Sequence, residues 1–506
     1  MKAFAAFAIV TITLLGLALV LAQSPDDLDQ PDDPTVTQLP DDSTTSVSPD
    51  DGKDTPVSLA DLDKDGDQSS DDADGQTISA QGEALRFKIR KSHDLVPTGS
   101  FRDFYVQIDV EADEAMPETR APLNVALVID RSGSMRGEPM EQARRAARTF
   151  VDALDKRDRI ALIAFDSRST VEVPSVQVDE SGRHRLHRAI DRLHAGGTTN
   201  ISGGLEDGFN QVQSGTRPEM LNRVVLMTDG IPNVGITTHD GLVAKTGTIR
   251  RQGVSVSTMG FGTDYDSSLM AAMSTEGAGN FRHIRNAADL EVAFSEELGD
   301  LQSTVAAGLE LDLQPGSGAR IERVYGFSAE RKGQGQHVAI GDLGAGERRS
   351  VVAHLRVDGD AQQDLRKVLD IKANYVDRLV DRPVGDEFAV DVAVSADHAA
   401  VAQSLNVDVM GRVEELRSQE SIQEALEHYR RGDQRQAQQR LERERVRARR
   451  ARQQYNIDED SAPARRVDGV LDRLSNTVRE HAPRSAGGRN AMAEEEVQAV
   501  EVFQGR

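Results

Sequence analysis

The chain has 506 residues, carries a formal net charge of −24, and contains no cysteine and no tryptophan. The absence of cysteine excludes a disulfide framework, a thiolate zinc site and a cysteine nucleophile. The length is sufficient for two or three domains with hydrophobic cores of their own.

The N-terminus has the pattern of an export signal. Lys2 precedes an uncharged, mostly apolar stretch at residues 3–22. The stretch ends in Val20-Leu21-Ala22, which has residues of small or modest size at the positions where signal peptidase requires them. We therefore predict a signal peptide at residues 1–22 and a secreted, periplasmic or cell-surface protein. Because the apolar stretch is about 20 residues long, the alternative is an uncleaved segment that anchors the chain in a membrane.

The next segment, residues 23–80, is strongly acidic. Residues 24–80 contain 17 aspartates and two lysines, a net charge of −15, and no aromatic residue. Such a polar and self-repelling segment cannot bury enough surface to offset the entropy lost on ordering. The composition predicts a disordered acidic linker.

One stretch of this linker resembles the calcium loop of EF-hand proteins. Acidic residues fall at loop positions 1, 3, 5, 7 and 12, with Gly66 at position 6; they are Asp61, Asp63, Asp65, Asp67 and Asp72. The resemblance is incomplete, because position 12 is usually a bidentate glutamate and no convincing helices flank the loop. Two interpretations of this stretch remain open. It is either a calcium loop, separate from any metal site elsewhere in the chain, or a solvated acidic spacer.

Two sets of alternating apolar residues flank the middle of the chain. Alternation at 85–89 and 104–110 predicts antiparallel strands within residues 81–119, and alternation at 309–313 and 388–394 predicts strands within residues 303–396. We expect one β-sandwich into which the region between the two sets is inserted. Two separate small sheets are the alternative.

The middle region, residues 120–302, alternates predicted strands with predicted helices. Continuous apolar runs at 125–129 and 224–227 are typical of parallel strands buried on both faces, and apolar residues recur at helical spacing between them. This pattern predicts an α/β domain with a doubly wound, mostly parallel sheet of the Rossmann-like kind.

Three motifs in this region supply oxygen donors near predicted strand ends. They are DRSGS at 130–134, GGTTN at 196–200 and LMTDG at 226–230. Ligands of open α/β sheets bind at the carboxyl ends of the strands, where these motifs are expected to meet. A DxSxS turn alone would also suit ordinary helix capping.

In this order and spacing, the motifs resemble the metal-ion-dependent adhesion site of von Willebrand factor type A domains, the family that includes integrin inserted domains. The resemblance covers about residues 120–302. It implies five ligands for Mg²⁺, or for Ca²⁺ or Mn²⁺: Asp130, Ser132, Ser134, Thr199 and Asp229. It also implies a protein partner that offers an exposed Asp or Glu to the metal. A domain that keeps this fold without binding metal is the alternative, and Asp266 is expected to cap the next helix rather than bind a second ion.

The C-terminal part returns to helical periodicity at residues 405–456, which predicts a helical hairpin within residues 397–456. Residues 430–452 contain ten arginines and three acids. We expect no nucleic-acid binding, because an exported protein rarely meets nucleic acid and aromatic residues are scarce here. Docking of this helix on an acidic surface stays open as an interpretation.

Residues 457–506 are predicted to form a mostly disordered tail.

Motifs for catalysis are missing from the sequence. There is no HExxH, GxSxG or Walker-type loop, and His184, His187 and His194 fall on the flank of a predicted helix, as expected for a solvated edge rather than a zinc site. We therefore predict a metal-dependent protein-binding or adhesion module and no enzyme. The alternative is a structural or assembly factor of an envelope complex whose metal only stabilises the fold; an envelope hydrolase is the least supported.

The EF-hand-like loop can be tested on a synthetic peptide of residues 55–78. If residues 61–72 form a calcium loop, calorimetry should show Ca²⁺ binding with 1:1 stoichiometry that persists at moderate ionic strength. A mere polyanion would bind weakly, without fixed stoichiometry, and less as salt is added. The second result would leave the segment an acidic spacer.

Overall fold

The computed structural model describes residues 77–81, 83–99, 101–358 and 365–504. The predicted signal peptide, almost all of the acidic linker and the EF-hand-like loop lie outside these residues. No helix within the described ranges is long and apolar enough to cross a membrane.

The described residues form seventeen strands and eleven α-helices. The strands are β1 (Thr77–Gln81), β2 (Leu85–Lys91), β3 (Leu95–Pro97), β4 (Phe101–Ala112), β5 (Leu123–Asp130), β6 (Arg159–Phe165), β7 (Ser169–Gln177), β8 (Leu221–Thr228), β9 (Ser255–Phe261), β10 (Phe281–Ile284), β11 (Thr304–Pro315), β12 (Ala319–Tyr325), β13 (Ala329–Lys332), β14 (Gly335–Gly344), β15 (Arg348–Asp358), β16 (Leu365–Asp377) and β17 (Arg382–Ser395). The helices are α1 (Glu138–Asp152), α2 (Glu180–Asp191), α3 (Ile201–Gly215), α4 (His239–Arg250), α5 (Ser267–Glu276), α6 (Leu290–Gln302), α7 (His398–Gln403), α8 (Val407–Arg430), α9 (Gln434–Tyr455), α10 (Ala462–Glu480) and α11 (Ala486–Gln504).

The central α/β domain contains a six-stranded sheet in the order β10-β9-β8-β5-β6-β7. All neighbours are parallel except β7, which runs antiparallel to β6. Every residue of β5 is buried, because helices cover both faces of the sheet. Residues of α1, α2 and α6 form one core with the sheet, and residues of α3, α4 and α5 form the other. The predicted doubly wound α/β domain is confirmed.

Helix α3 packs closely on the sheet at two glycines. A Cβ atom on Gly204 would stand 2.8 Å from Cδ1 of Phe165, and one on Gly208 would stand 2.7 Å from Cγ2 of Val128. Larger residues would therefore push the helix away from β5 and β6. The close packing fixes the loop that precedes α3, which carries Thr199.

The strands that precede and follow the α/β domain in the chain form a β-sandwich. One sheet has the order β1-β2-β4-β15-β12 and the other the order β13-β14-β11-β16-β17-β3. Each sheet combines strands from before and after residues 120–302; for example, β4 pairs with β15 along its whole length, and β3 pairs with β17. The inner faces of the two sheets share one hydrophobic core. The predicted insertion of an α/β domain into a β-sandwich is confirmed.

The predicted helical hairpin is confirmed as the antiparallel pair α8 and α9. The predicted disordered tail at 457–506 is corrected, because α10 and α11 occupy most of it. Helix α10 has an apolar stripe at helical spacing in which Leu471, Leu474 and Val478 are buried, and this stripe was present in the sequence. Helix α11 packs on the α/β domain through Ala493, a contact that periodicity alone does not reveal.

The arginine-rich helix α9 pairs much of its charge with carboxylates of neighbouring helices. On the α8 side, Arg447 lies 2.5 Å from Glu414, and on the α10 side, Arg452 lies 2.8 Å from Asp468. These pairs join residues distant in the sequence, so the local excess of arginine overstated the free positive charge of the folded chain.

A buried polar cluster ties α6 to the sheet and to the sandwich. The carboxylate of Glu297, which is fully buried, accepts hydrogen bonds from Ser257 Oγ at 2.5 Å and from Asn280 Nδ2 at 3.1 Å. Arg223 lies 3.4 Å from the same carboxylate and 2.9 Å from Asp342 of β14. The cluster therefore fixes both the position of α6 and the contact between the two domains.

Replacing Glu297 with alanine should lower the free energy of unfolding by about 3–5 kcal/mol, because Arg223 would lose a buried counter-charge. Urea denaturation would measure the change. The matched control is Glu296→Ala: this carboxylate is 56% exposed and pairs with Arg282 on the surface, so its loss should cost less than about 1 kcal/mol. Equal effects of the two substitutions would contradict the role assigned to the cluster.

Candidate functional site

The five predicted metal ligands meet at the carboxyl edge of the α/β sheet. Asp130 is the last residue of β5, and Ser132 and Ser134 lie in the turn that follows. Asp229 directly follows β8, the strand adjacent to β5, and Thr199 lies in the loop before α3. Parallel neighbours end at the same edge, which is why segments about 100 residues apart converge.

Hydrogen bonds connect the residues of the DRSGS turn to one another and to Asp229. The backbone N–H of Ser132 donates to Oδ1 of Asp130 at 2.7 Å. The hydroxyls of Ser132 and Ser134 are 2.9 Å apart, and the Ser134 hydroxyl donates to Oδ1 of Asp229 at 2.7 Å. Both serine hydroxyls thus point toward the carboxylates, and Ser134 is exposed at the open side of the site.

The Thr199 loop is held against the Asp229 loop by reciprocal bonds. The N–H of Thr199 donates to Oδ1 of Asn233 at 2.8 Å, and the N–H of Asn233 donates to the Thr199 carbonyl at 3.0 Å. A Cβ atom on Gly230 would stand 3.0 Å from Oγ1 of Thr199. A side chain at position 230 would therefore crowd the Thr199 hydroxyl.

Two supporting residues were not identified from the sequence. The Thr228 hydroxyl donates to Oδ2 of Asp130 at 2.5 Å and accepts from the N–H of Gly230 at 3.2 Å, so it orients the buried carboxylate. Asn233 positions Thr199, as described above. The signal available for Thr228 was its place directly before the aspartate in LMTDG; no local pattern marked Asn233.

The two aspartates are buried without a cationic partner among the described residues. Asp130 is 0% exposed, and burial raises its pKa to about 7 despite hydrogen bonds from Thr228 and Ser132. Burial raises the pKa of Asp229 as well. The adjacent Arg131 does not compensate them, because its guanidinium pairs with Asp166 at 3.0 Å and Glu172 at 3.1 Å. The site therefore has uncompensated negative charge.

The donor set suits a hard divalent cation. It offers carboxylate and hydroxyl oxygens, which Mg²⁺ and Ca²⁺ prefer, and the buried negative charge would be relieved by a cation. In the described part of the chain, no group of three or more His, Cys, Asp or Glu side chains could hold a metal ion. The predicted site has only two acids and depends on hydroxyls for the rest, so the residues present fit Mg²⁺ better than a transition metal that favours nitrogen or sulfur.

Other residues singled out in the sequence lie elsewhere. Asp266 caps α5 by accepting a hydrogen bond from the N–H of Leu269 at 3.1 Å. His184 and His187 lie in α2, where His187 pairs with Asp152 at 3.0 Å, and His194 follows that helix at an exposed position. The histidines are not brought together.

Comparisons with known proteins match the central domain and, in part, the regions around it. The family model of the von Willebrand factor type A domain matches residues 124–298. An uncharacterized protein of Synechocystis sp. is 29% identical over 271 residues, which is 51% of this chain and 62% of that protein. The uncharacterized protein YfbK of Escherichia coli is 28% identical over 301 residues, which is 56% of this chain and 50% of that protein. The aligned regions thus span less than two thirds of these relatives.

A solved structure, von Willebrand factor type A from Catenulispora acidiphila, matches with a TM-score of 0.63 and 18% identity, covering 84% of this chain and 99% of that chain. At this identity the likeness concerns the fold. Residues 124–298 therefore match the family model of the von Willebrand factor type A domain and have its fold, as the motifs implied.

In metal-free protein at pH 7.5, Asp130→Asn should raise the free energy of unfolding by on the order of 2–4 kcal/mol, because the buried charge is removed. Urea denaturation in EDTA would measure the change. Asp158→Asn is the matched control: Asp158 is equally buried but accepts hydrogen bonds from Arg120 at 2.8 and 2.7 Å, so its substitution should destabilise by about 1–3 kcal/mol. If both variants are less stable than the unmodified protein, the negative charge of Asp130 does not destabilise the metal-free fold.

Proposed function

We propose that this chain is an exported protein-binding module that captures an exposed Asp or Glu of a protein partner through a divalent cation. The cation is Mg²⁺, with Ca²⁺ and Mn²⁺ as the alternatives, and its ligands are Asp130, Ser132, Ser134, Thr199 and Asp229. The observation that carries the proposal is the pair of buried, uncompensated carboxylates surrounded by three hydroxyl residues at the edge of the sheet.

Each residue has a role in this proposal. Asp130, fixed by Thr228 and by the N–H of Ser132, supplies the buried anionic ligand. The hydroxyl residues are neutral ligands, which leave more of the cation's positive charge available to an external carboxylate. Ser134 lies at the exposed side, where a partner could approach.

Binding is favoured over catalysis by the contacts of the serine hydroxyls. Ser132 and Ser134 bond to each other, and Ser134 bonds to Asp229; neither contacts a histidine among the described residues. A nucleophilic serine needs such a base. The relatives compared above are uncharacterized and give no information on function. The proposed function is therefore supported by the geometry of the site. Export rests on the pattern of residues 1–22.

The test measures metal and partner binding separately. Calorimetric titration of the full chain with Mg²⁺ should show one saturable site, and Asp130→Asn should weaken it by more than the ~10–100-fold typical of losing an outer-shell partner. The matched control is Asp166→Asn, directly after the adjacent strand β6, where the Asp166 carboxylate contacts Arg131 rather than the donor set. It should keep its metal affinity.

Partner binding is then tested by affinity capture from the envelope fraction of the source cells. The captured protein should disappear with EDTA and with Asp130→Asn, while circular dichroism shows an unchanged fold and Asp166→Asn captures normally. Metal binding without any metal-dependent capture would favour the alternative, an envelope assembly factor with a fold-stabilising metal. Unchanged Mg²⁺ affinity in Asp130→Asn would refute the ligand assignment.

A further inference from the structure

The sheet of the α/β domain has an open edge at β10. This strand, residues 281–284, is the last in the sheet and pairs only with β9, in parallel. The N–H of Thr258 donates to the carbonyl of Asn280, and the N–H of Gly262 donates to the carbonyl of Ile284, both at 2.8 Å. Backbone groups of alternate residues in a strand point to opposite sides, so the even-numbered residues face β9.

The odd-numbered residues of β10 therefore present their backbone outward. These are Phe281 and His283, with two N–H donors and two C=O acceptors. Within the described residues, none of these four groups has a hydrogen-bond partner. Unpaired strand edges of this kind can be extended by another chain.

Two helices overhang this edge from opposite faces of the sheet. Helix α6 belongs to one core and contributes Val292 and Glu296; helix α11 packs on the other core and contributes Val497 and Val500. Together with β10 they line an open groove with a volume of about 650 Å³, which we call the β10 trough. Its floor is the unpaired edge of a strand, to which an extended segment can add by backbone hydrogen bonds.

The walls of the β10 trough combine apolar and acidic groups. Val292 is 57% exposed, which is unusual for a large apolar side chain. Arg282 is neutralised by Glu296 at 2.7 Å and by Asp300 at 2.6 Å. Arg285, which also lines the trough, pairs with Glu494 of α11 at 2.5 Å. Glu501 is exposed and makes no ion pair with the described residues, so the trough has spare negative charge.

We propose that β10 is a docking edge for an extended segment of a partner protein in which apolar residues alternate with basic ones. This segment would add to the sheet as a seventh strand and bond to the outward N–H and C=O groups of Phe281 and His283. Its apolar side chains would pack on Val292 and Val500, and a basic side chain would pair with Glu501.

A peptide probe tests the backbone bonds. A capped eight-residue peptide of alternating valine and lysine, titrated into the full chain, should bind with 1:1 stoichiometry. Methylating its backbone nitrogens on one set of alternate residues should weaken binding at least about tenfold, the equivalent of about 1.4 kcal/mol, because hydrogen bonds to β10 are lost; methylating the other set should have little effect. A valine–glutamate peptide should bind at least about tenfold more weakly than the lysine peptide.

Matched variants test the location. Val292→Arg adds bulk and charge to the wall of the trough at an exposed position and should reduce affinity for the lysine peptide at least about tenfold. Val446→Arg is the control, because Val446 is 44% exposed on α9 and lies outside the trough; it should bind normally.

Three results would overturn the proposal. They are the absence of saturable binding, equal binding by both sets of N-methylated peptides, and unchanged binding by Val292→Arg. Sedimentation that shows a dimer abolished by Val292→Arg would instead make the trough a contact between copies of this chain. None of these outcomes bears on the Mg²⁺ titration, so the two proposals fail separately.

Discussion

A carboxylate at the end of a fully buried strand loses its hydration, and Asp130 is in this position at the centre of the sheet. An uncompensated charge there is costly, so the surrounding residues are arranged to supply hydrogen bonds: Thr228 and the backbone of Ser132 donate to it. The remaining negative charge, increased by Asp229 nearby, is the feature that a divalent cation would neutralise.

The β-sandwich gives the α/β domain a defined orientation. Both ends of the inserted domain continue into strands of the sandwich, and the Glu297 cluster joins α6 to the sheet and, through Arg223, to Asp342. Because the candidate metal site lies at one edge of the sheet, such fixed anchoring would present it in a constant direction. Helix α11 adds a second contact to the same domain, where Arg489 donates to the Thr263 carbonyl at 2.8 Å.

Much of the fold and of the candidate site was predictable from local patterns. Apolar runs, helical spacing and the three motifs located the sheet, the hairpin and all five proposed ligands. The failures were of two kinds. The apolar stripe of α10 is visible in the sequence, whereas α11 is held in place by packing of Ala493 on a distant core, and the pairing of Arg447 with Glu414 joins residues on different helices.

The sequence by itself determined the periodicity of each element and the chemical character of the donor residues, because both depend on side chains close together in the chain. Only the tertiary structure decided which charges remain without partners. Asp130 is left uncompensated while Asp158 is paired with Arg120, although both are buried aspartates. It also decided that β10 keeps an unpaired edge between α6 and α11. Hydrogen bonds and ion pairs across distant segments depend on packing, which no local pattern encodes.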